Sequence, residues 1–216
     1  MRTDLSLYLV TDPGAAASAG RTVLDTVALA VASGVTAVQV RYKHADARSL
    51  LALAVAIGHS VPRGVSVIVN DRVDVFLAAR RECPTLAGVH VGQGDLPPEH
   101  VRALVGSDAV IGVTASTHDH LQSAAASPAR VDYVGIGVVR ATATKPDATA
   151  PLGVDGILRL AASCPLPAVA IGGITTADVP ALRRGGLAGI AVASAIGGAT
   201  DPGDSARRFT LAWSGA

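Results

Sequence analysis

The sequence predicts a single (β/α)8 barrel spanning residues 1–216, and three observations carry that prediction. Short β-branched runs alternate with Ala/Leu-rich stretches from one end of the chain to the other, the pattern of βαβ units around a parallel sheet. Eight such pairs can be read, and eight repeats close a barrel, whereas an open doubly wound sheet usually has about five or six strands and one crevice. Half the residues are hydrophobic but only 3% are aromatic. The core must therefore be assembled from Ala, Val, Leu and Ile, which suits tightly packed parallel strands and helices.

In chain order, strands are expected over residues 5–11, 37–41, 66–70, 88–91, 110–114, 133–136, 168–171 and 189–193. The helices that follow them are expected over 22–33, 48–58, 73–79, 97–104, 118–126, 154–162, 177–184 and 203–213. Asp95 and Pro97 fit one helix start, and Thr176 with Asp178 fit another, because a capping hydroxyl or early carboxylate satisfies free amides. Two connections, 12–21 and 141–153, are longer than a barrel needs. Both follow strands and therefore belong to the face that carries function in barrel enzymes.

Composition removes several classes of function. The formal charge is +1, from 18 basic and 17 acidic residues, and no Lys/Arg run tracks a nucleic acid backbone, so no nucleic-acid partner is expected. The longest apolar run, 50–57, is too short to cross a bilayer, so no membrane span is expected. Cys83 and Cys164 are the two cysteines and form no CxxC pair. A reduced, cytoplasmic setting is the default. The oligomeric state stays open, a homo-oligomer included.

The chemistry-bearing residues gather at the ends of particular strands. Along Gln39-Val40-Arg41-Tyr42-Lys43, alternation puts Gln39, Arg41 and Lys43 on one face, toward the barrel mouth, with Val38 and Val40 under the helices. Two cations held together there are costly unless an anion meets them, and a polyphosphate would do so. The competing reading is a solvated strand end. The third strand ends in Asn70-Asp71-Arg72, and the fourth leads into Gly92-Gln93-Gly94-Asp95. Asp71 and Asp95 are thus candidate Mg2+ ligands, with phosphate oxygens completing the shell. Taken singly, Asp71 could instead pair with Arg72 or Arg41, and Asp95 could cap the next helix.

Thr142-Ala143-Thr144-Lys145 follows the sixth strand and offers two hydroxyls and an ammonium. Ile171-Gly172-Gly173-Ile174 and Ala193-Ser194-Ala195 follow the last two strands, where glycine-lined backbone amides can approach a monophosphate. Glycines that merely relieve crowding in a turn are the alternative. The histidines show no metal-ligand spacing, and although His90 could face the lumen, it reads first as a satisfied core or interface histidine. No Gly-x-Ser-x-Gly turn is present, which argues against covalent acyl transfer.

These segments, together with Leu7-Tyr8-Leu9-Val10-Thr11-Asp12 and Val89-His90-Val91, occur in an order that resembles the thiamin phosphate synthase family over nearly the whole chain. The resemblance implies a transferase of thiamin biosynthesis. It would join the diphosphate of hydroxymethylpyrimidine to a thiazole ethyl phosphate, releasing pyrophosphate, with Mg2+ as cofactor and these two small molecules as partners. It also implies that Gln39, Arg41, Lys43, Asn70 and Lys145 bind the pyrimidine diphosphate, with Arg41, Lys43 and Lys145 stabilising its departure. Asp71 and Asp95 would hold Mg2+, and Thr142, Thr144, Gly173, Ala193 and Ser194 would contact the thiazole phosphate. Val40, Tyr42, Thr114, Ala143 and Gly172 complete the implied binding set.

Three positions depart from the family pattern. Thr114 stands where a Ser is common, Val138 where Pro usually follows the Gly-x-Gly of strand six, and Ala193 where Val or Ile is usual before the Ser. Two rival functions share the fold. A thiazole tautomerase would need an acid/base residue but no diphosphate site, and a non-catalytic phosphate-binding barrel would be expected to lack part of the charged set, whereas Asp71, Asp95 and Lys145 are all present.

Overall fold

A computed structural model of the chain describes residues 3–142 and 150–215. Eight parallel strands close into a barrel in sequence order, β1 (Leu7–Val10), β2 (Ala37–Val40), β3 (Ser66–Asn70), β4 (Leu86–Val91), β5 (Val110–Thr114), β6 (Tyr133–Gly137), β7 (Ala168–Ile171) and β8 (Gly189–Val192). β8 pairs with β1, Leu7 opposite Ile190, so no sheet edge is left. The fold class and all eight strand positions agree with the sequence prediction.

Around the sheet lie α1 (Pro13–Ser18), α2 (Val23–Ala32), α3 (Ala47–Ser60), α4 (Val73–Ala79), α5 (Pro98–Val105), α6 (His118–Ala126), α7 (Gly153–Ala162), α8 (Val179–Arg184), α9 (Ser194–Gly197) and α10 (Pro202–Ser214). Local chemistry explains where several of them start. Thr22 and Asp25 form a reciprocal capping box on α2, while Asp46, Thr117 and Asp201 cap α3, α6 and α10 through side-chain oxygens. None of the helices of the described residues is long and apolar enough to cross a membrane.

Four local expectations need correction. The connection over 12–21 is not a plain loop, since Asp12 accepts from the Ala15 amide and Pro13 opens the short helix α1. Asp95 does not cap α5; its carboxylate turns back and accepts from the Gly92 amide at 2.7 Å, and Pro97 precedes the helix without a side-chain cap. Asp178 flanks α8 but makes no capping bond to it, because its carboxylate is engaged elsewhere. Finally, β2 stops at Val40, so Arg41 and Lys43 leave the strand alternation and stand on the loop above it.

The core has two layers. Outside the sheet, residues such as Val38, Val40, Val67 and Val89 pack under the helices. Inside it, Tyr8, Val10, Ala37, Ile68, Tyr133, Val169 and Ala191 fill the lumen. The chain has only three tyrosines, and two of them plug this space. Gly112 makes room for one of them, since a Cβ there would lie 2.1 Å from Cζ of Tyr133.

Candidate active site

At the mouth, the ends of β2, β3 and β4 bring one group of the predicted residues together. Arg41 is half-buried, and its backbone is tied to β1 by the Thr11 hydroxyl, which donates to the Arg41 carbonyl at 2.9 Å and accepts from its amide at 2.8 Å. Asp71 has a left-handed backbone, φ 60°, a conformation uncommon outside glycine and one that Asp and Asn tolerate best. The turn is fixed by the Asp71 amide donating to the His90 carbonyl at 2.8 Å. It sets the Asp71 carboxyl within hydrogen-bonding reach of Asp95 and of the Asn70 side chain, with the charge of Arg41 near enough to be felt.

The electrostatics of that group are informative. Burial and then the neighbouring Asp95 push the Asp71 carboxyl up to about 6, against the smaller opposing effects of Asn70 and Arg41. Two carboxylates forced together repel one another, and a cation between them removes the cost. Among the described residues no group of three or more His, Cys, Asp or Glu side chains could hold a metal. Two carboxylates fit a hard cation whose other ligands are substrate oxygens and water. Arg72, which the sequence offered as an alternative partner of Asp71, pairs instead with Asp74 at 2.5 Å.

Gln39 is not with the cations. It is buried in the lumen, where its amide nitrogen donates to the Tyr8 hydroxyl at 3.0 Å. From there a chain of contacts of 3.0 Å each runs from Tyr8 to Tyr133, from Tyr133 to Nδ1 of His90, and from Nε2 of His90 to the Thr114 hydroxyl. Burial pushes both phenols well above their ordinary range, so they stay neutral. Thr114 thus joins the floor of the mouth, and its carbonyl also accepts from Nε2 of Gln93 at 2.5 Å. Tyr42 and Lys43 are exposed above, while Val40 is buried under the helices.

A second group lies at the ends of β7 and β8. Gly172 and Gly173 take positive φ, 93° and 68°, and the segment after β6 packs directly on them. A Cβ on Gly173 would lie 2.8 Å from Cβ of Arg140. Ala193 precedes α9, and Ser194, its first residue, is exposed. In the closed ring, β1 lies between this group and β2. Thr142 is half-buried at the margin of the described residues. Ala143, Thr144 and Lys145 lie outside the described residues.

Sequence reasoning missed Tyr8, Tyr133, Gln93, Arg140 and the true partner of Asp178. The tyrosines carried a signal in being rare aromatics within strands. Arg140 carried none, because its contacts are made 33 and 38 residues downstream.

Comparison with known proteins adds to this geometry. Residues 7–196 match the family described as thiamine monophosphate synthase. A thiamine-phosphate synthase of Azorhizobium caulinodans is 45% identical over 205 residues, 94% of this chain and 92% of that protein. One of Corynebacterium efficiens is 42% identical over 206 residues, 95% of this chain and 94% of that protein. The solved thiamine phosphate pyrophosphorylase of Pyrococcus furiosus superposes with a TM-score of 0.85 at 28% identity, covering 99% of this chain and 98% of that one.

Proposed function

The chain belongs to the thiamine monophosphate synthase family, and we propose that it forms thiamin phosphate, a transferase step of thiamin biosynthesis, at the mouth described above. The substrates are small molecules, a hydroxymethylpyrimidine diphosphate and a thiazole ethyl phosphate. The observation that carries the reading is the pairing of Asp71 with Asp95 beside Arg41, an arrangement suited to a diphosphate with its cation.

The reaction breaks the bond between the pyrimidine methylene and its bridging oxygen, and pyrophosphate leaves with the electron pair. The thiazole nitrogen then supplies the pair for the new C–N bond. Such a substitution asks the protein to stabilise charge on the leaving group and to align the nucleophile. Arg41 and Lys43 act on the leaving diphosphate, with Asn70 orienting it, and Lys145 joins them by the family resemblance. Asp71 and Asp95 would hold Mg2+, which would supply positive charge against the leaving diphosphate.

The lumen chain from Gln39 to Thr114 forms the floor against which the flat pyrimidine rests. No general base is required, which agrees with a His90 already engaged at both ring nitrogens. The thiazole phosphate sits at the other group, with Gly172, Gly173, Ala193 and Ser194 around it; Thr142, Ala143 and Thr144 join that set by the family resemblance. Val40 and Tyr42 contribute through the backbone of the β2 end. Both cysteines are free thiols, which supports a cytoplasmic setting for this enzyme.

The test mixes purified protein with both substrates and Mg2+, and follows thiamin phosphate with and without a chelator. Product that disappears on chelation supports the whole reading. Product that persists under chelation removes Mg2+ and the roles of Asp71 and Asp95, and no product from folded protein removes the synthase itself.

A further inference from the structure

The backbone after β6 uses three successive carbonyls at the end of β7. The Val139 amide donates to the Ile171 carbonyl at 3.1 Å, and the Arg140 amide donates to the Gly172 carbonyl at 3.0 Å. The Arg140 guanidinium completes the series, donating to the Gly173 carbonyl at 3.1 Å. The same guanidinium forks onto Asp178, at 2.6 Å to Oδ2 and 2.8 Å to Oδ1. Asp178 is buried, and its Oδ2 also accepts from the amide and the hydroxyl of Thr175, both at 2.8 Å.

This arrangement fixes the direction of two amides. A peptide unit is planar, with its N–H pointing opposite to its C=O. With the carbonyls of Gly172 and Gly173 committed to Arg140, the N–H groups of Gly173 and Ile174 face the other way, away from Arg140. Among the described residues neither amide donates to another group. Successive N–H groups turned to one side in this manner form an anion-binding concavity.

We propose that Arg140, held in its fork by Asp178, is a positioning residue that aims the Gly173 and Ile174 amides at the phosphate of the thiazole substrate. It touches no reacting atom, and half of its side chain is exposed. The proposal rests on the placement of that phosphate given under Proposed function. It adds a device that ties the start of the segment after β6 to the turn that receives the phosphate.

The experiment compares the wild-type protein with Arg140→Met and Arg140→Lys. Inorganic phosphate is the probe for direct binding, and steady-state kinetics are measured with each substrate varied in turn. In the Met variant, binding of phosphate and KM for the thiazole phosphate should each worsen roughly tenfold, the scale expected when a misaimed site must be reordered. KM for the pyrimidine diphosphate should stay within about twofold. The Lys variant keeps one charged bond to Asp178 but cannot fork, so it should fall between the two.

Equal changes in both KM values would show a merely structural residue and overturn the proposal, as would unchanged phosphate binding. Should the Met variant fail to fold by circular dichroism, the Lys variant carries the same two readouts. A wild-type protein that binds phosphate in an Arg140-dependent way but makes no thiamin phosphate would sink the family reaction while leaving the positioning role intact.

Discussion

The hydroxyls of Tyr8 and Tyr133 meet at 3.0 Å in the barrel lumen, with the ring planes 73° apart and the centroids separated by 6.0 Å. Each phenol has a second partner, Gln39 for Tyr8 and His90 for Tyr133. The pair is thus the centre of a polar chain crossing an otherwise apolar space. Replacing Tyr133 by Phe leaves the Tyr8 hydroxyl and Nδ1 of His90 each short of a partner where water has no ready access. Unfolding by urea should show a loss of about 1–3 kcal/mol. A Phe variant as stable as the wild type would mean that the chain contributes nothing net to the fold.

Gly112 makes room for the same tyrosine. Its ideal Cβ would lie 2.1 Å from Cζ and 2.4 Å from the hydroxyl oxygen of Tyr133. The ring is completely buried and hydrogen-bonded on two sides, so it has nowhere to retreat. Gly112→Ala should therefore destabilise by about 1–3 kcal/mol through overpacking. A thermal melt should fall by several degrees, and Tyr133→Leu in the same chain should restore part of the loss by removing the ring. Failure of that partial rescue would locate the strain elsewhere.

The strands and the mouth were legible in the sequence because they depend on local pattern. Runs such as Ser66–Asn70 and Val110–Thr114 appear where β-branched residues and alternation place them. Asp71 and Asp95 follow their strands and so stand at the same rim. The lumen chain was not legible, since it exists only once eight strands close and bring Tyr133 beside Tyr8, 125 residues away. Helix α1 was hidden by its Ala/Gly composition, although Asp12 followed by Pro13 is the start signal that betrays it. Asp178 was legible as a residue that flanks a helix, but its stronger bond is to Arg140 on another loop. Beside a guanidinium, a carboxylate gains more from a forked ion pair than from capping an amide.

That ion pair gives a pH dependence of known sign. The Arg140 guanidinium, followed by smaller contributions from Thr175, holds the Asp178 carboxyl down to about 2, below its ordinary 3.8. A folded-state pKa below the unfolded one adds stability that is fully present above about pH 4 and is lost as the pH falls through about 2. The exposed guanidinium limits the gain to about 1–2 kcal/mol. Urea unfolding of the wild type and Arg140→Met should therefore differ clearly at pH 6 and much less near pH 2. A difference that does not shrink on acidification would show that Arg140 stabilises through packing of its aliphatic stem alone.

The Asp71 and Asp95 pair predicts opposite effects of one substitution, depending on the metal. Without Mg2+, the ionised Asp71 is held near Asp95 at a cost, so Asp71→Asn should raise stability slightly, by about 0.3–1 kcal/mol after screening by the water that still reaches this partly buried carboxyl. Asn also suits the left-handed backbone at this position, φ 60°. With Mg2+ and pyrophosphate added, the wild type should gain stability by mass action, about 2.7 kcal/mol if the ligands are at 100 times their dissociation constant. The Asn variant should gain far less, because one of the two anionic ligands is gone. Thermal melts of both proteins, with and without Mg2+ and pyrophosphate, separate the possibilities. A crossing, with Asn ahead in chelator and the wild type ahead in Mg2+, is the outcome this site requires. An Asn variant stabilised as much as the wild type would move the cation away from Asp71 and leave the diphosphate to Arg41 and Lys43 alone.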